Sequence, residues 1–520
     1  MREDTAVNSR DVEVDVVVVG SGGGVAGAYT AAREGLSVAL IEATDLFGGT
    51  TAYSGGGGMW FPCNPVARRA GVDDSPQSAL RYFHAVVGDR TPLDLQRTYV
   101  HGGARLVEYL EKDEHFAFAE LPWPDYYGSV AEARADGRRH IVPVPLRASD
   151  LGPLADSVRG PLDTERLGEP APSLLTGGRA LIGRFLLGLS RFHHAELHLR
   201  TPLVDLLTSA YAVTGVVADS DGETIRFRAR RGVLLAAGGF EQNDRMRRFW
   251  GVPGRAEDTM GCPGNTGAAH QAAIQMGADT DLMDQAWWSP GLTHPDGRSA
   301  FALWFTGGIF VDQNGERFVN ESAPYDRLGR VIVERVDSGA MGLPFWMIYD
   351  NREGPTPPVK ATNVSMVDPA QYRDARLWHS AETLDALAGL IGVPAATLNA
   401  TVERYNSMVA NGCDADFGRG DEPYDRAFSG GRSPLTPIAQ PPYHAAVFGL
   451  SDLGTKGGLR TDTRARVLRS SGDPIPGLYA AGNTMAAVSG TTYPGGGNPI
   501  GASLLFSHLA ALDMVGANAR

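Results

Sequence analysis

The chain has 520 residues, a formal net charge of −13, 43% hydrophobic and 21% charged residues. That length exceeds one compact core and indicates two or three domains. An acidic chain without a basic tract is not a nucleic-acid binder, and three scattered cysteines, Cys63, Cys262 and Cys413, make neither a disulfide framework nor a zinc site.

No metal site is expected, because no His/Cys cluster has ligand spacing. No run approaches the ~18 apolar residues of a membrane span. The start, MREDTAVNSRDVEV, lacks the basic-then-apolar order of a leader. A cytoplasmic setting follows, with peripheral membrane contact left open.

In chain order, Asp15 to Val19 (DVVVV) reads as a strand buried on both faces. GSGGG follows from Gly20, then a small-residue helix, AGAYTAAREGL, then a strand, SVALIEA, ending near Glu42. This unit suits a dinucleotide. Gly20, Gly22, Gly23 and Gly24 would let backbone approach a pyrophosphate at a helix N-terminus, and Glu42 would accept from ribose hydroxyls. The glycine register is irregular: Gly20-x-Gly22 leaves Val25 third, whereas Gly22-x-Gly24 gives Gly27, so a slightly lengthened loop is expected. An ordinary glycine-rich turn would explain the glycines alone, but not strand, helix, second strand and acid together.

The next segment, DLFGGTTAYSGGGGMW, offers Gly49, Thr50, Thr51, Ser54, Gly55 and Gly56 along an extended ligand. NAD needs no second glycine-rich loop here, whereas the ribityl chain and ring of FAD do. Residues 128–176, rich in Arg, Pro and Gly, read as a long irregular excursion. GGRALIG at Gly177 reads as a structural turn. TPLVDLLTSAYAVTGVVADSDGETIRFRAR is hairpin-like and leads to GVLLAAGGFEQN, a buried strand ending at Gly238. DPIPGLYAAGN places a strand before Gly482 and Asn483.

In the last helix Asn498 is the expected N-cap and Pro499 the first helical residue. Ala502, Leu505, Leu509, Leu512 and Val515 give it one buried face. The whole is α/β: a Rossmann-like, discontinuous nucleotide domain. A second dinucleotide fingerprint is missing from the sequence, so electrons are expected to leave through an acceptor other than NAD(P)H.

The fingerprint, GGTTAYSGG, LLAAGGFE, GCPGNTGAA, GGIFVDQNGERFVNES, IPGLYAAGN and GNPIGASL occur in an order that resembles the fumarate-reductase/succinate-dehydrogenase flavoproteins over nearly the whole chain. Within them PDYYGS, NESAPYDR and TTYPGGGNPIG are similar to the 3-ketosteroid Δ1-dehydrogenases. The resemblance implies FAD and a 3-ketosteroid substrate; the electron acceptor stays open, a quinone-linked one being among the candidates. It implies an inserted α+β catalytic domain at 286–452, with 1–285 and 453–520 forming the FAD domain. Trp287, Trp288, Phe301, Leu303, Trp304, Phe305, Phe345 and Trp346 cluster along the insert, most as ordinary core and several as walls for a flat apolar ligand.

By the same resemblance, Tyr325 takes a proton from carbon 2 and Tyr126, or one residue on Tyr127, supports its anion. Tyr493 and the Gly497 N–H hold the ketone. Asn498 and Ile500 start a helix that points at the flavin. Two alternatives stay open. A fumarate-type reductase or other ketone desaturase would use the same scaffold, the reductase needing convergent Arg and His. A flavin carrier would need no tyrosine base.

Overall fold

The computed structural model describes residues 9–516. Residues 1–8, on which the absence of a leader was read, lie outside them. The valine run becomes the centre of a sheet. The chain supplies that sheet with β1 (Ser9–Val19), β2 (Val38–Ile41), β3 (Ala195–His198) and a meander of β4 (Leu203–Ser209), β5 (Ala212–Ser220) and β6 (Glu223–Leu235). β1 runs parallel to β2 on one side and β6 on the other, and Val16, Val17 and Val18 are fully buried, as in a sheet packed on both faces. A four-residue loop, Gly20–Gly23, joins β1 to helix α1 (Gly24–Arg33).

Two glycine-rich segments behave differently from the sequence expectation. Gly24 does not face a ligand: an added Cβ would lie 2.9 Å from Val18 Cγ1 and 3.1 Å from Ala236 Cβ, so this glycine serves helix–sheet packing. GGRALIG is no turn. After helix α2 (Gly49–Tyr53), a two-residue strand at 174–175 leads into helix α3 (Gly177–Leu189), which is buried along almost its whole length. The excursion 128–176 is also less irregular than expected. It contains a strand, His140–Pro143, paired with Met59–Trp60 and Phe118–Leu121, and short helices at 148–151 and 162–167.

The chain then builds a second sheet from β7 (Ala286–Thr293), β8 (Ser299–Phe305), β9 (Ile309–Val311), β10 (Phe345–Asp350), β11 (Val359–Thr362), β12 (Trp378–Ala381) and β13 (Tyr443–Thr455). The order is β9-β10-β13-β7-β8-β11, with β12 on the other part of β13. Helix α4 (Tyr325–Asp337) lies on β7, with Gly329 so close that an added Cβ would come within 2.5 Å of the Trp288 carbonyl carbon.

The aromatic cluster divides by face. Trp288, Phe305 and Phe345 are core, and Trp346 packs outside it. Trp287, Phe301, Leu303 and Trp304 join a separate cluster with three tyrosines of the site. Period-two alternation cannot put both Leu303 and Trp304 on one side. Trp304 has φ 62°, which departs from extended strand geometry, and Leu303 and Trp304 both line the cavity described below.

The chain returns to the first sheet with β14 (Arg466–Leu468) and β15 (Pro474–Ala480), the latter parallel to β6. Helix α5 (Asn498–Val515) covers α1. It starts one residue earlier than expected, at Asn498, because Gly497 turns the chain with φ 83°. Its buried face also differs. Leu505 is buried as expected, along with Gly501, Ser503, Leu504, Phe506, Ser507, Ala510 and Ala511, whereas Ala502, Leu509, Leu512 and Val515 are half-buried. A helix sandwiched between neighbours buries small residues that hydropathy does not mark.

Candidate active site

The segment Ser489–Gly497 is fixed from four directions. Tyr82 Oη donates to the Pro494 carbonyl at 2.5 Å and the Tyr126 N–H donates to the same oxygen at 3.0 Å. Lys456 Nζ donates to the carbonyls of Thr491 (2.9 Å) and Thr492 (3.4 Å), and Arg330 donates to Thr491 as well. At Gly497 a Cβ would overlap the Gly58 carbonyl, so no larger residue allows this approach. The loop therefore holds Tyr493 rigidly.

Three sequence candidates meet here. Ring centroids are 5.0 Å apart for Tyr126–Tyr493, 5.6 Å for Tyr325–Tyr493 and 5.8 Å for Tyr126–Tyr325. Tyr325 is the first residue of α4, which is why the packing of α4 on β7 positions it. Tyr126 is buried in this cluster, whereas Tyr127 lies under the Arg327 guanidinium, 5.3 Å from its ring centroid. The Gly497 N–H donates to Tyr493 Oη at 3.1 Å. Sequence reasoning missed Tyr424, 5.1 Å from Tyr126, because no motif marks it.

Burial dominates the electrostatics. It pushes the phenols of Tyr325 and Tyr126 well above the ordinary tyrosine value, with the neighbouring phenols adding to the rise. Tyr493 is also pushed up by burial, to about 12, with Tyr325 and the Gly497 N–H holding it down. The Gly497 N–H on Tyr493 Oη leaves the phenol O–H free to donate to a carbonyl oxygen. The Tyr126 hydroxyl is buried and has no hydrogen-bond partner.

These groups open onto a cavity of about 670 Å³. Gly20, Gly22, Gly23, Glu42, Gly49, Thr50, Thr51, Ser54, Gly55, Gly56, Gly238, Gly482, Asn483 and Ile500 line it, as do Tyr126, Tyr325, Tyr493 and Gly497. Gly24 and Asn498 do not. The Asn498 side chain faces an adjacent space of about 20 Å³, with both amide atoms unpartnered, because the earlier helix start rotates it away. Sequence reasoning missed Ser21, Trp123, the 201–203 turn and Asn265, which reach the lining through tertiary contact. Glu42 is the one charged residue in the described lining.

That donor set fits FAD. Glu42 is held by Ser21 (N–H 3.1 Å, Oγ 2.5 Å) and Thr44 (N–H 3.0 Å, Oγ1 2.9 Å), an oriented acceptor for ribose hydroxyls. Helices α1 and α5 carry no side-chain cap, and both N-termini border the cavity through Gly22–Gly23 and Pro499–Ile500. Gly49–Thr51 add backbone donors, held by α3: the Gly178 N–H donates to the Ser54 carbonyl at 2.8 Å. An added Cβ at Gly178 would overlap the Thr51 carbonyl oxygen. Gly178→Ala is accordingly expected to cost about 1–3 kcal/mol of stability and to reduce bound flavin. Thermal unfolding and flavin absorbance per protein check this.

A split parallel sheet with this lining defines an FAD-dependent oxidoreductase, and residues 15–500 match the family model of the FAD binding domain. The 3-oxosteroid 1-dehydrogenase of Mycobacterium tuberculosis is 37% identical over 556 aligned positions, covering 96% of this chain and 98% of that one. The chain belongs to the 3-oxosteroid 1-dehydrogenase family of flavoenzymes, and its cofactor is FAD. The 3-ketosteroid Δ1-dehydrogenase of Sterolibacterium denitrificans, solved in complex with 1,4-androstadiene-3,17-dione, superposes with a TM-score of 0.88. It is 31% identical, with 97% of this chain and 100% of that one covered. A 4-oxocyclohexanecarboxylate 2-dehydrogenase of Sinomonas cyclohexanicum is 33% identical, covering 96% and 93%. Among the described residues no helix is long and apolar enough to cross a membrane, and no group of His, Cys, Asp and Glu is arranged to hold a metal.

Proposed function

We propose that the protein introduces a double bond between carbons 1 and 2 of a 3-oxosteroid A ring. One observation carries the reading: Tyr126, Tyr325 and Tyr493 converge on an aromatic-walled cavity whose described lining has no Arg, Lys or His. A flat neutral ketone suits such walls. A dicarboxylate beside the tyrosines does not, because no Arg, Lys or His in the described lining offers its charges a partner. The arginines that a fumarate-type site would need are engaged elsewhere: Arg317 with Glu321 and Asp414, Arg327 with Glu422, Arg330 with Thr491.

The roles follow from chemistry. Tyr493 and the Gly497 N–H donate to the ketone oxygen, which makes the neighbouring C–H acidic. Tyr325 removes the carbon-2 proton, with Tyr126 beside it. FAD, when bound, supplies the hydride acceptor for carbon 1. The catalytic part is assigned to 286–452, between the FAD-domain parts 1–285 and 453–520.

Anaerobic mixing of the FAD-loaded protein with a 3-oxo-4-ene steroid is the test. Bleaching of the flavin with formation of the 1,4-diene is expected. The reading fails if no 3-oxosteroid bleaches the flavin while fumarate reoxidises the reduced protein. 4-Oxocyclohexanecarboxylate, whose carboxylate finds no cation in this lining, should bleach it more slowly by about tenfold or more.

A further inference from the structure

We propose that Lys456 is a positioning residue that ties the helix carrying Tyr325 to the loop carrying Tyr493, setting the spacing between the two phenols. This rests on the roles given to those tyrosines above. The ammonium is fully buried and takes no part in the cavity lining. Its hydrogen bonds go to Asp326 Oδ1 at 3.0 Å, the Thr491 carbonyl at 2.9 Å and the Thr492 carbonyl at 3.4 Å. Asp326 directly follows Tyr325, and Thr492 directly precedes Tyr493.

An ammonium has three N–H bonds, and here each has an acceptor. Nζ also lies 4.3 Å from the Trp287 ring centroid. Trp287 in turn packs on Tyr493, centroid to centroid 5.1 Å. Burying a charge this deeply is costly unless every bond is met. An apolar side chain would fill the same space without that cost but could not grip two carbonyls and a carboxylate. Lys456 is itself anchored on a third segment, its N–H donating to the Gln285 carbonyl at 2.8 Å and its carbonyl accepting from the Ala487 N–H at 3.1 Å. One turn along α4, Arg330 reaches the same Thr491 carbonyl, so the helix holds the loop at two points.

The test compares Lys456→Met, Lys456→Gln, Asp326→Asn and the double variant Asp326→Asn/Lys456→Met as FAD-loaded enzymes. Lys456→Met is expected to lower kcat about tenfold to a hundredfold, as sub-ångström to ångström misplacement does, with KM changed less than about threefold. Lys456→Gln, which keeps a neutral donor, should fall between Met and the parent. The double variant should be no slower than the slower single one, because both changes break the same tie. Asp326→Asn reads the proposal with the lysine in place, even where Lys456→Met takes up no FAD. Unchanged kcat in Asp326→Asn, or losses that multiply in the double variant, would overturn it. Tyr325→Phe measured alongside separates the two ideas. If it stays active the tyrosine roles fail, whereas if it is inactive and the Lys456 variants are not, only the tie fails.

Discussion

Replacing Tyr325 by phenylalanine is expected to leave a folded, flavin-loaded protein whose turnover falls by about 10²–10⁴-fold. The ring stays in place against Phe301, 4.8 Å centroid to centroid, and only the hydroxyl is lost. Activity and flavin content measured on one preparation check this, and near-normal turnover would remove Tyr325 from the base role. Holding an ordinary tyrosine ionised at pH 7 costs about 4 kcal/mol. The start of α4 offers at most about 2 kcal/mol of favourable partial charge, and burial works against ionisation. In the proposed role Tyr325 therefore rests as the neutral phenol. Its ionised fraction rises about tenfold per pH unit below its pKa. With the pKa raised, kcat/KM should climb through pH 7–9 without a plateau. A plateau from pH 7 would mean that bound substrate lowers the pKa.

Tyr493→Phe is the second large effect. Losing one donor to a developing enolate oxygen typically lowers kcat about 10²–10³-fold, or roughly 2.7–4 kcal/mol. Gly497 retains its N–H, which in this structure spends itself on Tyr493 Oη. Some carbonyl binding should therefore persist, and KM should change far less than kcat. A variant that raises KM alone would assign Tyr493 to substrate binding without selective help to the enolate. The Tyr325→Phe/Tyr493→Phe pair should be less than multiplicative, because both act on one proton transfer.

The nucleotide unit was legible because its signals are local. A valine run, a glycine loop and Glu42 lie within 28 residues of one another, and periodicity with turn chemistry suffices to read them. The tyrosines were legible only as motifs in a familiar order. Nothing in the spacing of residues 126, 325 and 493 says that their rings lie within 6 Å. Lys456 and Asp326 are 130 positions apart, and each reads as a surface charge until the fold pairs them. The misread face of α5 has a different cause. Leu509 and Leu512 are only half-buried, while Ser503 and Ser507 are buried, because close helix contact selects small side chains over greasy ones. Trp304 illustrates a third limit: it has a positive φ, and no residue preference announces it.

The order of the elements, with β15 and α5 long after β1 and β6, has a consequence for how the protein is made. A ribosome that adds about 5–20 residues per second releases the first strand long before the last ones exist. β1 and β6 are finished while β15 is still some 240 residues away in the message. The Gly497 amide and Tyr493 arrive later still. The nascent chain thus carries an open nucleotide sheet while those residues are made, and cofactor capture waits for β15 and the start of α5.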